Sequence, residues 1–412
     1  MRSVVLRISA GGWFELYDLF MTAYISLGLI KDGLFVATAP SPFALWRFAW
    51  FIASGFAGMF AGTLVFGWFA DQFGRKNTFV VSLLWYSAAT VGMALAPSAV
   101  SIDLWRFVAG IGIGVQLVTI DSYISEISPK DQRGYWIAFS QFIGYLAIPV
   151  VALAAYLLVP HHFFGLSGWR YVALVGSLGG VVVWFLRSGL PESPRWHHAR
   201  HAAGAAAIAR AWSAIWSKAL RVRTIMLVVF NFAQTIGFYG FTSWVPIFVA
   251  SHGVSFAKSL QYSFIIAAIN PAGPLLAMRM ADRWQRKWQI VVMACIIAIA
   301  GLAFALVRAP GAIIAFGIIV TLANAWFSCA FHAYQAELYP TPIRAQAVGF
   351  VYSWSRFSSI FVGFAIAAVL RAYGTPGVFA LIACAMAIVA VTIGTFGIRT
   401  NNMELEDLAV AL

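Results

Sequence analysis

The chain has 412 residues, of which 62% are hydrophobic and only 10% are charged. Soluble globular domains carry about 25% charged residues, so this composition excludes a soluble fold and indicates a polytopic membrane protein. The formal net charge of +13 is spread over short breaks between apolar runs. We therefore expect a lipid bilayer, and no nucleic acid, as the partner of the basic residues.

Twelve apolar runs follow one another along the sequence. Because backbone polar groups in hydrocarbon must be satisfied within the segment itself, runs of about 20 residues predict membrane-spanning helices. The fold class is therefore an all-α membrane protein with twelve transmembrane helices. The predicted spans are roughly 9–30, 48–70, 78–96, 104–127, 135–159, 169–188, 222–250, 259–281, 288–307, 311–338, 345–370 and 376–398.

Lysine and arginine are concentrated in every second break between the runs. This asymmetry predicts that both termini lie in the cytoplasm, and short loops without N-x-S/T acceptors favour a bacterial inner membrane. The three cysteines, Cys295, Cys329 and Cys384, lie in apolar runs at no metal-like spacing. No phosphate loop or nucleophile triad accompanies them, so we expect no metal, no cofactor beyond a coupling proton, and no enzymatic activity.

Four ionisable residues lie inside predicted spans near the start of the chain. Glu15 and Asp18 are three positions apart on the first helix, and Arg106 and Asp121 are on the fourth. A charge inside a span is costly, which makes each a functional candidate. The alternatives are a headgroup-level acid for Glu15 and a structural salt bridge for Asp18 and Arg106.

One register relates the two halves of the chain. The pattern E-x-x-P-x-x-x-R at 126–133 returns at 337–344, a shift of 211 positions. Two parallel repeats are expected of a transporter whose binding site lies at the repeat interface, near the bilayer midplane. We predict six-helix halves at 1–188 and 222–398, a cytoplasmic linker at 189–221 and a cytoplasmic tail at 399–412.

Several spaced motifs carry a family resemblance: GWFADQFGRK at 67–76, its degenerate copy MADRWQRK at 280–287, RFVAGIGIG at 106–114, the segment 126–134, and PESPRW at 191–196. Together they resemble the major facilitator superfamily, in particular its sugar-porter and metabolite:proton branch. The resemblance implies that Asp18 accepts the proton and Arg106 is its partner, and Glu15 and Asp121 are the next candidates for proton coupling. It also implies a cytoplasmic charge network that locks the outward-facing state, formed by Asp71, Arg75, Glu126, Arg133, Glu192, Arg195, Asp282, Arg286, Glu337 and Arg344.

The predicted substrate site matches the sugar-porter pattern only in part. Gln141 and Gln234 stand where sugar porters place glutamines that hold hydroxyl groups, whereas Tyr239 and His332 replace an asparagine and a tryptophan. A polyol would lose donors and a stacking surface by these changes. The sugar-porter resemblance is therefore weaker for the substrate than for the fold.

Ionisable groups replace the missing sugar contacts. The repeat register maps Gln141 onto Tyr352 and Asp121 onto His332, and Arg356 follows Tyr352 by one helical turn on the same face. We therefore expect Arg356 to face the cavity, where its planar fork fits a substrate carboxylate. A helix-pairing role for Arg356 and a packing role for His332 are the alternatives.

The predicted function is a monomeric, proton-coupled symporter that imports a small organic solute by alternating access. An organic or aromatic carboxylate is favoured over a sugar, because an arginine inside a span needs an anionic partner. A sugar:proton symporter is the first alternative, and a non-transporting membrane sensor is the alternative from another class. A drug antiporter fits less well, since the motif at 191–196 resembles the uptake branch.

Overall fold

A computed structural model describes residues 2–35, 42–73, 75–114, 124, 132–187, 213–280, 283–339 and 343–400. In the first half the helices are α1 (Arg2–Lys31), α2 (Pro42–Phe73), α3 (Arg75–Leu95), α4 (Ala99–Gly114), α5 (Arg133–Tyr145), α6 (Ala147–Leu158) and α7 (Gly168–Arg187). A two-stranded antiparallel hairpin, β1 (His162–Phe163) and β2 (Leu166–Ser167), precedes α7 and pairs His162 with Ser167.

The second half contains α8 (Arg221–Thr242), α9 (Val245–Ser251), α10 (Phe256–Ala267), α11 (Ala272–Met280), α12 (Arg286–Leu306), α13 (Pro310–Glu337) and α14 (Arg344–Phe396). The last of these is interrupted at Gly374, whose φ of 65° is left-handed, two residues before Pro376. It therefore supplies two spans. The pairs α5–α6, α8–α9 and α10–α11 each form one broken span, so the described helices group into the twelve predicted spans.

Each broken span has the same cause. A proline cannot donate to the carbonyl four residues earlier, so the helix loses a hydrogen bond at that point. Helices α5, α8 and α10 all end four residues before a proline, at Tyr145, Thr242 and Ala267, with the prolines at Pro149, Pro246 and Pro271. Discontinuous helices at mid-bundle are typical of transporter binding sites.

Six helical stretches within the described residues are long and apolar enough to cross a membrane: Gly134–Leu158, Arg221–Thr242, Phe256–Met280, Arg286–Leu306, Pro310–Gln335 and Gln346–Phe396. Large apolar side chains lie on the outside of the bundle, among them Leu104, Ile299 and Val391, each more than 60% exposed. Such a surface fits a hydrocarbon environment and would be unstable in water.

The glycines at alternate positions of α4 let it pack between two neighbours. A Cβ at Gly110 would collide with the backbone carbonyl of Gly55 on α2, whereas a Cβ at Gly112 would meet Ser82 on α3 at 2.7 Å. Since successive alternate residues of a helix point in different directions, small residues are needed on both faces. This close packing brings α4 deep into the first half and fixes the position of Arg106.

The two halves meet along aromatic contacts. Trp50 of α2 packs edge-on against Phe364 of α14 with ring centroids 5.1 Å apart, and Tyr156 of α6 stacks on Phe264 of α10 at 6.4 Å. We call the end of the bundle where α7 ends and α8 begins the linker end. The predicted domain boundaries at 188, 221 and 398 remain predictions.

Candidate functional site

The first polar centre is a buried ion pair between α1 and α4. Arg106 donates from Nη1 to Asp18 Oδ2 at 2.5 Å and from Nη2 to the backbone carbonyl of Asp18 at 3.1 Å. Thr90 of α3 donates to the other carboxylate oxygen at 3.1 Å. The two ionised side chains are 0% and 2% exposed. Such a charge-assisted pair, removed from water, is strong while intact and leaves a costly lone charge when separated.

Packing holds the Arg106 guanidinium in place. Its Nε would lie 3.1 Å from a Cβ built on Gly55, and its charge lies over the ring of Phe51, 5.9 Å from the centroid. Glycine at position 55 therefore makes room for the arginine, while the ring offers a favourable cation–π contact. The sequence predicted Asp18 and Arg106 as partners, and the structure brings them together.

A central cavity lies between the halves and has an empty volume of about 440 Å³ with its open mouth included. Five of the six predicted substrate residues line it: Gln141, Gln234, Tyr239, His332 and Tyr352. The rest of the wall consists of Leu16, Leu19, Phe20, Tyr145, Phe238, Ser328 and Phe331. Both halves contribute, as the repeat register predicted; the role of each residue in binding remains a prediction.

The sixth predicted residue, Arg356, lies one layer behind this wall. Its side chain is 2% exposed, and it donates from Nη1 to the hydroxyl of Tyr239 at 2.8 Å and from Nη2 to the hydroxyl of Tyr352 at 3.0 Å. The guanidinium also lies 4.9 Å from the centroid of the Tyr352 ring. The sequence-based expectation that Arg356 itself lines the cavity therefore differs from the structure, because the two phenols lie between Arg356 and the cavity.

Glu15 belongs to the same cluster across the interface between the halves. It is fully buried on α1, directly before the cavity residue Leu16, and its carboxylate interacts electrostatically with Arg356 of α14. Complete burial within the bundle disagrees with the alternative of a headgroup-level acid. Glu15 therefore supplies a negative charge from the first half and Arg356 a positive charge from the second.

A smaller cavity, with about 250 Å³ of empty volume, adjoins the first centre. Arg106, Thr22 and Ser243 line it, and Leu19 belongs to the walls of both cavities. Arg106 Nε and Thr22 Oγ1 are buried without a hydrogen bond to any described residue. These polar atoms could hold water beside the ion pair. Sequence reasoning missed Thr22, although its spacing of four from Asp18 places both on one helix face.

Asn324 of α13 was also missed. Its side chain is buried, and neither its amide nitrogen nor its oxygen is hydrogen-bonded to a described residue. It precedes the cavity residue Ser328 by one helical turn. A buried amide without partners is destabilising unless water or a ligand satisfies it. The only sequence signal was an amide within an apolar run, and that signal is weak.

The predicted charge network is described at one pair. Arg286 of α12 and Glu337 of α13 form a two-point ion pair, with Arg286 Nη1 2.7 Å from Oε1 and 2.9 Å from Oε2. The side chains of four other members lie outside the described part of the structure: Asp71, Arg75, Arg133 and Arg344. Four more members lie outside it entirely: Glu126, Glu192, Arg195 and Asp282. The same holds for Asp121, predicted for proton coupling.

Comparison with known proteins gives relatives across nearly the whole chain. A putative metabolite transport protein of Bacillus subtilis, YyaJ, is 29% identical over 95% of this chain and 91% of its own length. The niacin transporter NiaP of Acinetobacter baylyi is 27% identical over 97% and 94%. The cis,cis-muconate transport protein of the same bacterium is 27% identical over 74% and 73%. These relatives are transporters and not enzymes.

Solved structures share the fold. The xylose transporter XylE of Escherichia coli, in a partially occluded inward-open conformation, superimposes with a TM-score of 0.81, 19% identity and coverage of 98% of this chain and 99% of that one. The model of the Major Facilitator Superfamily matches residues 19–312 and 272–406. The chain therefore belongs to the Major Facilitator Superfamily, as a membrane transporter with the twelve-helix fold.

Proposed function

We propose that this protein is a proton-coupled symporter that imports a small organic carboxylate, with an aromatic acid favoured. The observation that carries the proposal is the buried Arg356, which stands behind two tyrosines of a cavity shared by both halves. A cation inside a low-dielectric bundle attracts an anion far more strongly than it would in water. A neutral solute would gain nothing from that charge.

Proton coupling is assigned to Asp18 with Arg106 as its partner. A carboxylate paired with a guanidinium stays ionised, whereas a buried carboxyl without that partner favours its protonated form. If a movement within the first half separates α1 from α4 during the transport cycle, proton binding and release follow that movement. Glu15 and Asp121 are the next candidates for the proton-carrying acid.

The relatives support a carboxylate substrate. Niacin and cis,cis-muconate, which two of them are named for, are both organic acids. The aromatic and aliphatic wall of the cavity, with Phe20, Phe238 and Phe331, suits an apolar ring or chain attached to such an acid. We further propose an inner-membrane location with both termini in the cytoplasm.

A liposome experiment tests the proposal. Purified full-length protein is reconstituted, and uptake of labelled organic acids and sugars is followed with and without an imposed pH difference. A preceding thermal-shift screen of nicotinate, benzoate, muconate, xylose and glucose selects the substrate, since a ligand at a hundred times its dissociation constant stabilises by about 2.7 kcal/mol. Concentrative uptake of a carboxylate that requires the pH difference is expected, and carboxylate uptake indifferent to pH would contradict the coupling.

A sugar:proton symporter is the second candidate. Gln141 and Gln234 line the cavity and offer amides that suit hydroxyl groups, and the solved xylose transporter shares the fold. Sugars that stabilise the protein when organic acids do not would favour this candidate. A membrane sensor would instead bind its ligand without any counterflow in liposomes.

A further inference from the structure

The cluster of Tyr239, Tyr352 and Arg356, here called the phenol clamp, has a defined hydrogen-bond direction. Arginine is a donor only, so in both contacts the phenol oxygen is the acceptor, at 2.8 Å and 3.0 Å. The proton of each phenol is therefore directed away from Arg356. Since both tyrosines line the cavity while the arginine does not, a molecule in the cavity meets the phenol hydroxyls before it meets the guanidinium.

We propose that the phenol clamp is the carboxylate-recognition element of the cavity: the hydroxyl groups of Tyr239 and Tyr352 donate to the two oxygens of the substrate carboxylate, and Arg356 acts behind them as a positioning residue. The inference rests on the proposed function and specifies how the anion is recognised. A phenol that accepts from a guanidinium is polarised and becomes a stronger donor, because hydrogen bonds in a chain reinforce one another.

The geometry favours this relay over direct contact with the arginine. Arg356 is 2% exposed, its two terminal nitrogens are each engaged by a phenol, and the Tyr352 ring lies against its face at 4.9 Å. Both phenols line the cavity and Arg356 does not, so a carboxylate that bound the guanidinium directly would first have to pass them. Tyr239 is also held from the other half, where the ring of Phe56 on α2 packs edge-on against it at 4.6 Å.

Glu15 sets the electrostatic balance of the clamp. Its buried carboxylate interacts with Arg356, so it offsets part of the positive charge that a substrate anion would experience. Removing that negative charge should strengthen anion binding, whereas every change to the clamp itself should weaken it. Anion affinity should thus rise in one variant and fall in the others, a pattern that general destabilisation of the protein cannot produce.

The experiment measures the affinity of the purified full chain for benzoate and for its neutral analogue benzamide by calorimetry. The variants are Tyr239→Phe, Tyr352→Phe, Arg356→Lys and Glu15→Gln. Each phenylalanine variant should lose about tenfold or more in benzoate affinity, the usual size for a hydrogen bond to a charged group, while benzamide changes less than about threefold. Arg356→Lys should lower the ratio of benzoate to benzamide affinity, because an ammonium cannot hold two phenols in one plane. Glu15→Gln should raise it.

Tyr145→Phe is the matched control. Tyr145 lines the same cavity but is hydrogen-bonded to Ser328 instead of Arg356, so its substitution should leave the ratio unchanged. Benzoate affinity that is unchanged or higher in both phenylalanine variants, together with a loss in Arg356→Lys, would overturn the relay in favour of direct arginine contact. Wild-type protein that shows no preference for benzoate over benzamide would instead overturn the proposed carboxylate function, and the inference with it.

Discussion

Arg106 in the first half and Arg356 in the second are both buried inside the bundle, and they have different partners. Arg106 in the first half contacts the carboxylate of Asp18 directly and is 2% exposed. Arg356 in the second half is equally buried, yet its hydrogen-bond partners are the two neutral phenols of Tyr239 and Tyr352. An arginine bonded to a counter-ion is neutralised by it, whereas an arginine hydrogen-bonded to neutral phenols keeps a positive charge that another anion can neutralise.

Under the proposed function, this difference separates two tasks within one transporter. The pair in the first half suits proton exchange, because its acid changes protonation when the partner leaves. The cluster in the second half suits an anionic substrate, because its compensating charge, Glu15, comes from the opposite half. A transport cycle that moves the halves relative to each other changes the interaction of Glu15 with Arg356, whereas Asp18 and Arg106 both belong to one half.

The largest effect is expected from Asp18→Asn. The amide can still accept a hydrogen bond from Arg106 but cannot carry the exchangeable proton, so accumulation driven by an imposed pH difference should be abolished while counterflow persists. Liposome uptake measures both. Asp103→Asn is the matched control, because Asp103 lies on the same helix as Arg106 but pairs with Arg47 of α2, at 3.3 Å. Concentrative uptake by Asp18→Asn would move the proton role to Glu15 or Asp121.

Arg356→Gln should produce the next largest effect. Arg356 holds the two phenols that we propose as donors to the carboxylate, so its loss should cost about 1.5–3 kcal/mol of binding energy, the usual contribution of a hydrogen bond to a charged group. Calorimetry with the carboxylate found by screening measures it. Counterflow of that carboxylate should fall in parallel. An anion that binds Arg356→Gln as tightly as wild type would contradict the assignment of the Arg356 cluster to the substrate. The assignment of Asp18 and Arg106 to proton coupling would not be affected by that result.

Gly110→Ala should damage the first centre alone. The added methyl group collides with the Gly55 backbone, so α4 must move away from α2 and carry Arg106 with it. Overpacking of this kind costs about 1–3 kcal/mol, seen as a lower melting temperature with weakened proton coupling. Gly349→Ala on α14 serves as the control, since nothing lies within 4 Å of a Cβ there. Equal melting temperatures for the two variants would argue against the close packing.

Glu337→Gln should affect both centres together. The pair with Arg286 belongs to neither centre but to the predicted cytoplasmic charge network, which would act on the conformational equilibrium of the whole transporter. Losing the ionic part of that contact, about 1.5 kcal/mol, should shift the conformational equilibrium about tenfold. Labelling of single cysteines placed at the linker end, in a background without Cys295, Cys329 and Cys384, reports the shift. Labelling identical to wild type would contradict a locking role for this pair.

The smallest effect is expected from Gln141→Ala. If the substrate is a carboxylate held in the second half, Gln141 on α5 offers one neutral hydrogen bond, and its loss should cost about 1 kcal/mol. A sugar that depends on Gln141 and Gln234 would lose more. Calorimetry that finds Gln141→Ala more harmful than Arg356→Gln would reverse the comparison between the centres and favour the sugar.

The sequence alone determined the spans and the first centre. Apolar runs of membrane length are local features, so the bounds of α12 and α13 follow from composition. Asp18 and Arg106 are visible because a charge inside an apolar run stands out without knowledge of its neighbours. Their pairing came from the family resemblance, and the repeat register placed Gln141 and Tyr352 at one cavity.

Only the tertiary structure decided how Arg356 is used. Its orientation depends on Tyr239, 117 positions away, at the end of a helix that stops because Pro246 cannot donate to Thr242. Thr22 and Asn324 were missed because a neutral polar side chain within an apolar run resembles an ordinary packing residue until its partners are known. Charge and hydrophobicity are properties of single residues and short windows, whereas hydrogen-bond partners between helices depend on how the whole bundle packs.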